Sequence, residues 1–219
     1  MLYVVDFDGT LSTSDSVDAL LEKFAAPEWK LVEQQWLEGQ ITATACMRQQ
    51  IDMVAADRIA IETFFRAIQL DRHFLSFYRH VSASAMVAIV SDGLDHAAQV
   101  ATRHANFPEI PIYSNRLHFK PDGISISYPH FNPACEGGNG VCKCSVARDL
   151  CATHPGPVIL IGDGKSDACI ANRADVVFAK GSLISFCQRE GIEHIPFSDF
   201  ADVLAVVRTW PAHQQQSAV

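Results

Sequence analysis

The chain opens with Leu2-Tyr3-Val4-Val5-Asp6-Phe7-Asp8-Gly9-Thr10. Four apolar residues in succession read as a short, fully buried strand. Asp6 and Asp8, two apart at its carboxyl end, project to the same side because side chains alternate along a strand. A buried strand carries two like charges there only where a cation or a reaction offsets them. The plainer alternative is a polar turn after a strand.

Working outward, further strand-like runs follow at Met86–Val90, Ile110–Tyr113, Val158–Ile161 and Val176–Phe178, with helical stretches between them. Strand and helix in alternation predict an α/β fold, a Rossmann-like parallel sheet flanked by helices. The interval after the first strand is too long for one crossover helix. Apolar residues there recur at helical spacing (Val17, Leu20, Leu21, Phe24; then Ile61, Phe64, Phe65, Ile68),. Residues 14–79 are therefore expected to form an inserted α-helical bundle, with residues 1–13 and 80–219 forming the sheet domain. Residues 115–128 read as a hairpin turning at Pro121-Asp122-Gly123,. The tail from Pro211 looks loosely held,.

Composition narrows the function. The 219 residues are 48% hydrophobic and 19% charged, as in a globular protein, and the net charge of −8 argues against a nucleic-acid surface,. No apolar run is long enough to span a bilayer, so no membrane role is expected. The N-terminus runs straight into a strand bearing Asp6, which argues against a signal peptide,. Seven scattered cysteines, an odd count, suit reduced thiols,. A cytoplasmic location follows as an expectation, with a monomer or homodimer as the state.

Other strand and helix ends carry polar residues. Met86–Val90 runs into Ser91-Asp92-Gly93, a hydroxyl followed by a glycine that lets backbone N–H groups approach an anion,. Val158–Ile161 runs into Gly162-Asp163-Gly164-Lys165-Ser166-Asp167. Lys143 stands where a glycine-rich loop, Gly137–Gly140, gives way to a helix. Ligands of open parallel sheets bind outside the strands' carboxyl ends, so Asp6, Asp8, Ser91, Asp163 and Asp167 should converge on one rim. Carboxylate oxygens suit Mg²⁺; a serine, a lysine and free N–H groups suit phosphate.

These four motifs resemble the haloacid dehalogenase superfamily, in its phosphatase branch, and the helical insert resembles that superfamily's α-helical cap. Asn115-Arg116-Leu117 before a glycine-turn hairpin is similar to the phosphoserine-phosphatase group. A narrower resemblance rests on Asp6–Thr10, Phe24-Ala25-Ala26-Pro27-Glu28-Trp29, Pro129-His130 and Pro196-Phe197-Ser198-Asp199-Phe200. It points to the 2-hydroxy-3-keto-5-methylthiopentenyl-1-phosphate phosphatase family of methionine salvage.

The resemblance implies that a small phosphorylated metabolite is hydrolysed. Asp6 would be the nucleophile and Asp8 the acid, then the base. Mg²⁺ would be held by Asp6, the Asp8 backbone carbonyl and Asp163. Ser91, the N–H groups of Asp92 and Gly93, and Lys143 would clamp the phosphoryl oxygens. Asp167 would orient metal-bound waters and Lys143, and Thr10 would brace the loop. An aspartate at position 8 also separates this chain from dehalogenases, which protonate no leaving oxygen. Hydrolysis of phosphoserine, transfer to a small acceptor and non-catalytic binding of a phospho-ligand are the alternatives; retention of both Asp6 and Asp8 weighs against the last.

Asp15 stands where phosphoserine phosphatases carry a glutamate that recognises the substrate amine; it is equally the cap of a helix starting near Ser16,. Where that group has an arginine for the substrate carboxylate, this chain has Gln50, with Arg48 about 200° away around the helix,. Both this and the missing asparagine in Asp163–Asp167 count against phosphoserine. Cys135, Cys142 and Cys144, with His130 upstream, invite a zinc reading, but the spacing matches no common structural site, and free thiols in a substrate-side loop are expected,.

Overall fold

The structure is a computed structural model and describes residues 1–121, 123–135 and 137–210. Asp122, the centre of the expected hairpin turn, and the tail from Pro211 lie outside the described residues.

The strand that opens the chain, β1 (Leu2–Val5), lies at the heart of the sheet. It pairs in parallel with β2 (Met86–Leu94) on one side and β5 (Val158–Gly162) on the other. Beyond β2 come β3 (Ile112–Lys120) and β4 (Gly123–Ser127); beyond β5 come β6 (Val176–Ala179) and β7 (Ile195–Pro196). Among the described residues the sheet has seven strands in the order β4-β3-β2-β1-β5-β6-β7, and only β4 runs antiparallel. Leu2 and Val4 face one hydrophobic layer, Tyr3 and Val5 the other. Each such burial contributes roughly 1.5–3 kcal/mol. That anchors the strand end on which the carboxylates sit.

Helices cover both faces. Packed on the Tyr3 and Val5 side are α5 (Phe74–Val81), α6 (Asp95–His104) and α10 (Phe200–Val207); on the other are α7 (Lys143–Cys151), α8 (Ala168–Ala171) and α9 (Gly181–Glu190). Between β1 and α5 the chain forms α1 (Ser16–Phe24), α2 (Trp29–Leu37), α3 (Ala43–Asp52) and α4 (Arg58–Arg66), the cap helices that the helical spacing predicted. The segments leading into and out of this bundle pair with each other: Thr13 N–H donates to the Gln69 carbonyl and Asp71 N–H to the Leu11 carbonyl, both at 2.9 Å. At the end of the insert, α5 lies against the sheet; Phe77 meets Tyr3 edge-on and Phe74 meets Phe200 at 4.9 Å.

Two elements differ from the sequence reading. The strand expected over Met86–Val90 is longer: β2 continues through Ser91-Asp92-Gly93 to Leu94, with its register to β3 shifting between Val90 and Leu94. A bulge of this kind re-aims side chains without ending the strand. The expected strand Ile110–Tyr113 and the first arm of the hairpin are one strand, β3, which starts only at Ile112. Its first half pairs in parallel with β2 and its second half antiparallel with β4, so one strand serves two partners.

Candidate active site

The site is built at the carboxyl ends of β1, β2 and β5, where the strand order turns back on itself,. Asp6 N–H donates to the Ile161 carbonyl at 2.9 Å, extending the ladder by one residue and fixing the Asp6 backbone. The chain then makes two wide turns, Leu11 N–H to the Asp6 carbonyl and Ser12 N–H to the Phe7 carbonyl. Gly9 sits between them at φ +69°, a left-handed conformation that few side chains accept,. A side chain there would also meet the Asp163 carboxylate at 2.5 Å. Gly9 thus lets β1 and the β5 loop approach closely enough to share charge.

Asp6, Asp163 and Asp167 each offer a carboxylate oxygen within 4.8 Å of the others, the one such group of three metal-ligating side chains among the described residues. Lys143, the first residue of α7, is fully buried beside them. Its Nζ lies 2.8 Å from Asp6 Oδ1 and 2.6 Å from Asp167 Oδ1. Burial works against the charged form of the lysine, but Asp167 and Asp6 outweigh it and hold the ammonium above the ordinary lysine value,. Burial, then the charge of Asp167, hold the Asp6 carboxyl well above the ordinary carboxylate range, against the downward pull of Lys143.

Asp163 Oδ1 accepts from Thr10 Oγ1 at 3.0 Å, and burial, then Asp167, push its carboxyl upward. Asp167 is wholly buried, and its second oxygen accepts from the N–H groups of Asp163 and Gly164, both at 3.2 Å. Three carboxylates thus share one lysine. The cluster is short of positive charge and rich in hard oxygen donors, which fits a divalent cation.

Asp8 lines the same cavity as Asp6 and Asp163. The first-turn N–H of α1, from Ser16, donates to its Oδ1 at 2.7 Å. Its Oδ2 faces Gly93, where any added Cβ would collide with it. Burial, followed by the charge of Asp15, pushes Asp8 up to about 7, against the bond from Ser16. Ser91 is buried, and its Oγ accepts from Gly93 N–H at 3.0 Å. That amide, expected to be free for a phosphoryl oxygen, is therefore engaged here. The Asp92 carboxylate accepts from Val141 N–H at 2.8 Å and from Asn115 Nδ2 at 3.3 Å, tying β2 to the loop ahead of α7.

Asp15 does cap α1: its Oδ1 accepts from the N–H groups of Val17 and Asp18, both at 2.9 Å. It also lines the cavity, about 260 Å³, between the sheet rim and the cap. The cap contributes Glu33, Trp36, Met47 and Gln50 to that wall. Arg48 instead turns to Tyr128, its guanidinium 5.8 Å from the ring centre. No arginine lines the cavity among the described residues.

Sequence reading missed Lys180 and the part played by Asn115. Lys180 follows the end of β6, and its Nζ donates to the Thr10 carbonyl at 3.3 Å. The strand-end rule that found Asp163 would have found it. Asn115, fully buried, donates through Nδ2 to the Asp92 carbonyl at 2.6 Å. Only the register of β3 against β2 brings it there, which no local pattern reveals.

The haloacid dehalogenase-like hydrolase family matches residues 3–172. A 2-hydroxy-3-keto-5-methylthiopentenyl-1-phosphate phosphatase from Exiguobacterium sp. (strain ATCC BAA-1283 / AT1b) is 31% identical over 209 residues, covering 94% of this chain and 96% of that protein. One of the same name from Geobacillus kaustophilus is 30% identical, covering 91% of each. Among solved structures, a substrate-bound phosphoserine phosphatase shares the fold with a TM-score of 0.72 at 17% identity, over 94% of this chain and 97% of that one. A haloacid dehalogenase family hydrolase from Salmonella enterica serovar Typhi gives 0.75 at 20% identity, over 96% and 72%. No helix among the described residues is long and apolar enough to cross a membrane. The chain belongs to the haloacid dehalogenase-like hydrolases and is a phosphatase of that family, a phosphoric monoester hydrolase.

Proposed function

We propose that the chain is a Mg²⁺-dependent phosphatase that works through an aspartyl-phosphate at Asp6, and that its substrate is 2-hydroxy-3-keto-5-methylthiopentenyl-1-phosphate. One observation carries the reaction: a buried carboxylate, Asp6, held 2.8 Å from a buried ammonium, Lys143, and lining the same cavity as Asp8. Lys143 and the Ser91 hydroxyl neutralise and orient the phosphoryl oxygens, so that Asp6 faces phosphorus in line with the leaving oxygen. Asp6 attacks phosphorus while Asp8 gives a proton to the departing alcohol. Asp8 then takes a proton from the water that releases phosphate and restores Asp6. Asp6, Asp163 and the Asp8 carbonyl would hold Mg²⁺, which when bound offsets the repulsion between carboxylate and phosphate. Thr10 keeps Asp163 turned toward that position. Asp167 keeps Lys143 charged and in place.

The rest of the cavity wall supports the substrate. Val17, Trp36, Ala43 and Met47 offer an apolar surface for a methylthio-alkyl chain. Asp15, Asp18 and Glu33 also line it. Lys165, its ammonium 4.8 Å from the Trp36 ring centre, is the one lysine among the described lining residues and no arginine joins it, so the three acids outnumber it and disfavour the carboxylate that phosphoserine would bring,. The names of the Exiguobacterium and Geobacillus relatives point the same way. The expected result is a kcat/KM for the enol phosphate at least about tenfold above that for phosphoserine, some 1.4 kcal/mol in transition-state binding. Steady-state assays with both compounds check it. Equal values, or a preference for phosphoserine, would overturn the substrate while leaving the chemistry at Asp6 standing.

A further inference from the structure

Away from the acidic cluster, four cysteines from three parts of the chain meet on one wall. Cys135 comes from the loop before α7, Cys142 and Cys144 from the start of α7, and Cys169 from α8. They line a separate cavity of about 610 Å³. Cys144 Sγ lies 3.4 Å from Cys169 Sγ, which lies 3.9 Å from Cys135 Sγ. Cys142 lines the same cavity and is met by Ser145 Oγ at 3.2 Å and Asn132 Nδ2 at 3.9 Å. All seven cysteines of the chain are free thiols.

We propose that Cys135, Cys142, Cys144 and Cys169 form a thiolate site for a structural zinc ion.

Tetrahedral zinc–thiolate bonds of about 2.3 Å place neighbouring sulfurs about 3.8 Å apart, and the two sulfur contacts of 3.4 and 3.9 Å bracket that edge,. The sulfurs now lie in a string rather than a tetrahedron. Binding would have to close that string while the Cys135 and Cys142 N–H groups donate to the Asn132 and His130 carbonyls, both at 2.9 Å. Cys142 receives hydrogen bonds from a hydroxyl and an amide, the outer contacts that suit a ligating sulfur,.

On binding, each thiol gives its proton to solvent, and four thiolates with Zn²⁺ leave two negative charges. Arg173 stands on the cavity wall to offset part of that charge; Arg148, also on the wall, pairs with Asp149 at 2.9 Å. By contrast, Cys46 and Cys187 are buried singly, as core thiols usually are,. His130, which the sequence offers as a ligand, packs on Tyr113 instead. Cys169, which it does not offer, completes the set. The bound ion would brace the loop that presents Val141 N–H to Asp92 and leads into Lys143. It would position those groups and touch no substrate.

The test measures metal in the purified full chain, grown with zinc and dialysed against a weak chelator in excess Mg²⁺. About one zinc per chain is expected. It should fall several-fold in Cys169→Ser and in Cys135→Ser. It should persist in Cys151→Ser and in Asp6→Asn, which separates it from metal at the acidic cluster. Cobalt loaded into the unmutated chain should show sulfur-to-metal charge-transfer absorption, a readout that needs no variant to fold. Absence of both stoichiometric zinc and that absorption would overturn the site. So would full retention of zinc in Cys169→Ser, or a Cys144–Cys169 disulfide in place of the metal.

Discussion

Replacing Asp6 with asparagine is expected to lower kcat for an aryl phosphate by about 10⁴-fold or more, the scale of losing a covalent nucleophile. In the unaltered protein the same hydrolysis should require Mg²⁺, cease on chelation and return when Mg²⁺ is restored. The substituted amide would keep the shape of the side chain but not its nucleophilic charge. Folding should survive, because the change removes one of the like charges crowded beside Asp163 and Asp167. Lys143 keeps its 2.6 Å partner, Asp167. Steady-state kinetics alongside a thermal melt check both halves. An Asp6→Asn protein with undiminished turnover would mean that Asp6 is not the attacking group, whatever binds the metal.

Lys143→Met should damage both stability and catalysis. The ammonium is wholly buried and lies between two carboxylates. Removing it leaves Asp6 and Asp167 facing each other with no cation between them. Breaking a buried pair in this way costs about 3–5 kcal/mol, because the surviving charges stay desolvated. Loss of a charged group aimed at the phosphoryl oxygens should lower kcat/KM by about 10²- to 10³-fold. Urea unfolding reads the first effect and kinetics the second. Adding Asp167→Asn to the same chain should return part of the stability and none of the activity. A Lys143→Met protein as stable as the original would show that the lysine is not offsetting those charges.

The parts of the fold set by local pattern could be read from the sequence. β1 declared itself as four apolar residues ahead of two acids, and the helical spacing of Val17, Leu20, Leu21 and Phe24 announced α1. The reading that placed Arg48 on the wrong face of α3 and Gln50 on the right one rested only on the helix period. In the structure Gln50 lines the cavity and Arg48 does not. Other features depend on contacts between distant segments. The apolar run marks a strand only over Met86–Val90; pairing with β3 carries it on, bulged, through Ser91–Gly93. Asp15 could have been a substrate ligand or a helix cap on sequence grounds, and it both caps α1 and lines the cavity. Cys169 stood 25 residues from Cys144 with no shared motif, and only the packing of α7 against α8 brought their sulfurs together.

The most direct test of the covalent mechanism is to mix enzyme and substrate with Mg²⁺, quench in acid within the first turnover, and map the phosphoryl group by peptide mass. The expected result is a hydroxylamine-sensitive phosphate on Asp6, absent from Asp6→Asn, and accumulating in Asp8→Asn, where the base for its hydrolysis is gone. A first turnover that releases product with no phosphate on Asp6, or with phosphate on another residue, would contradict it.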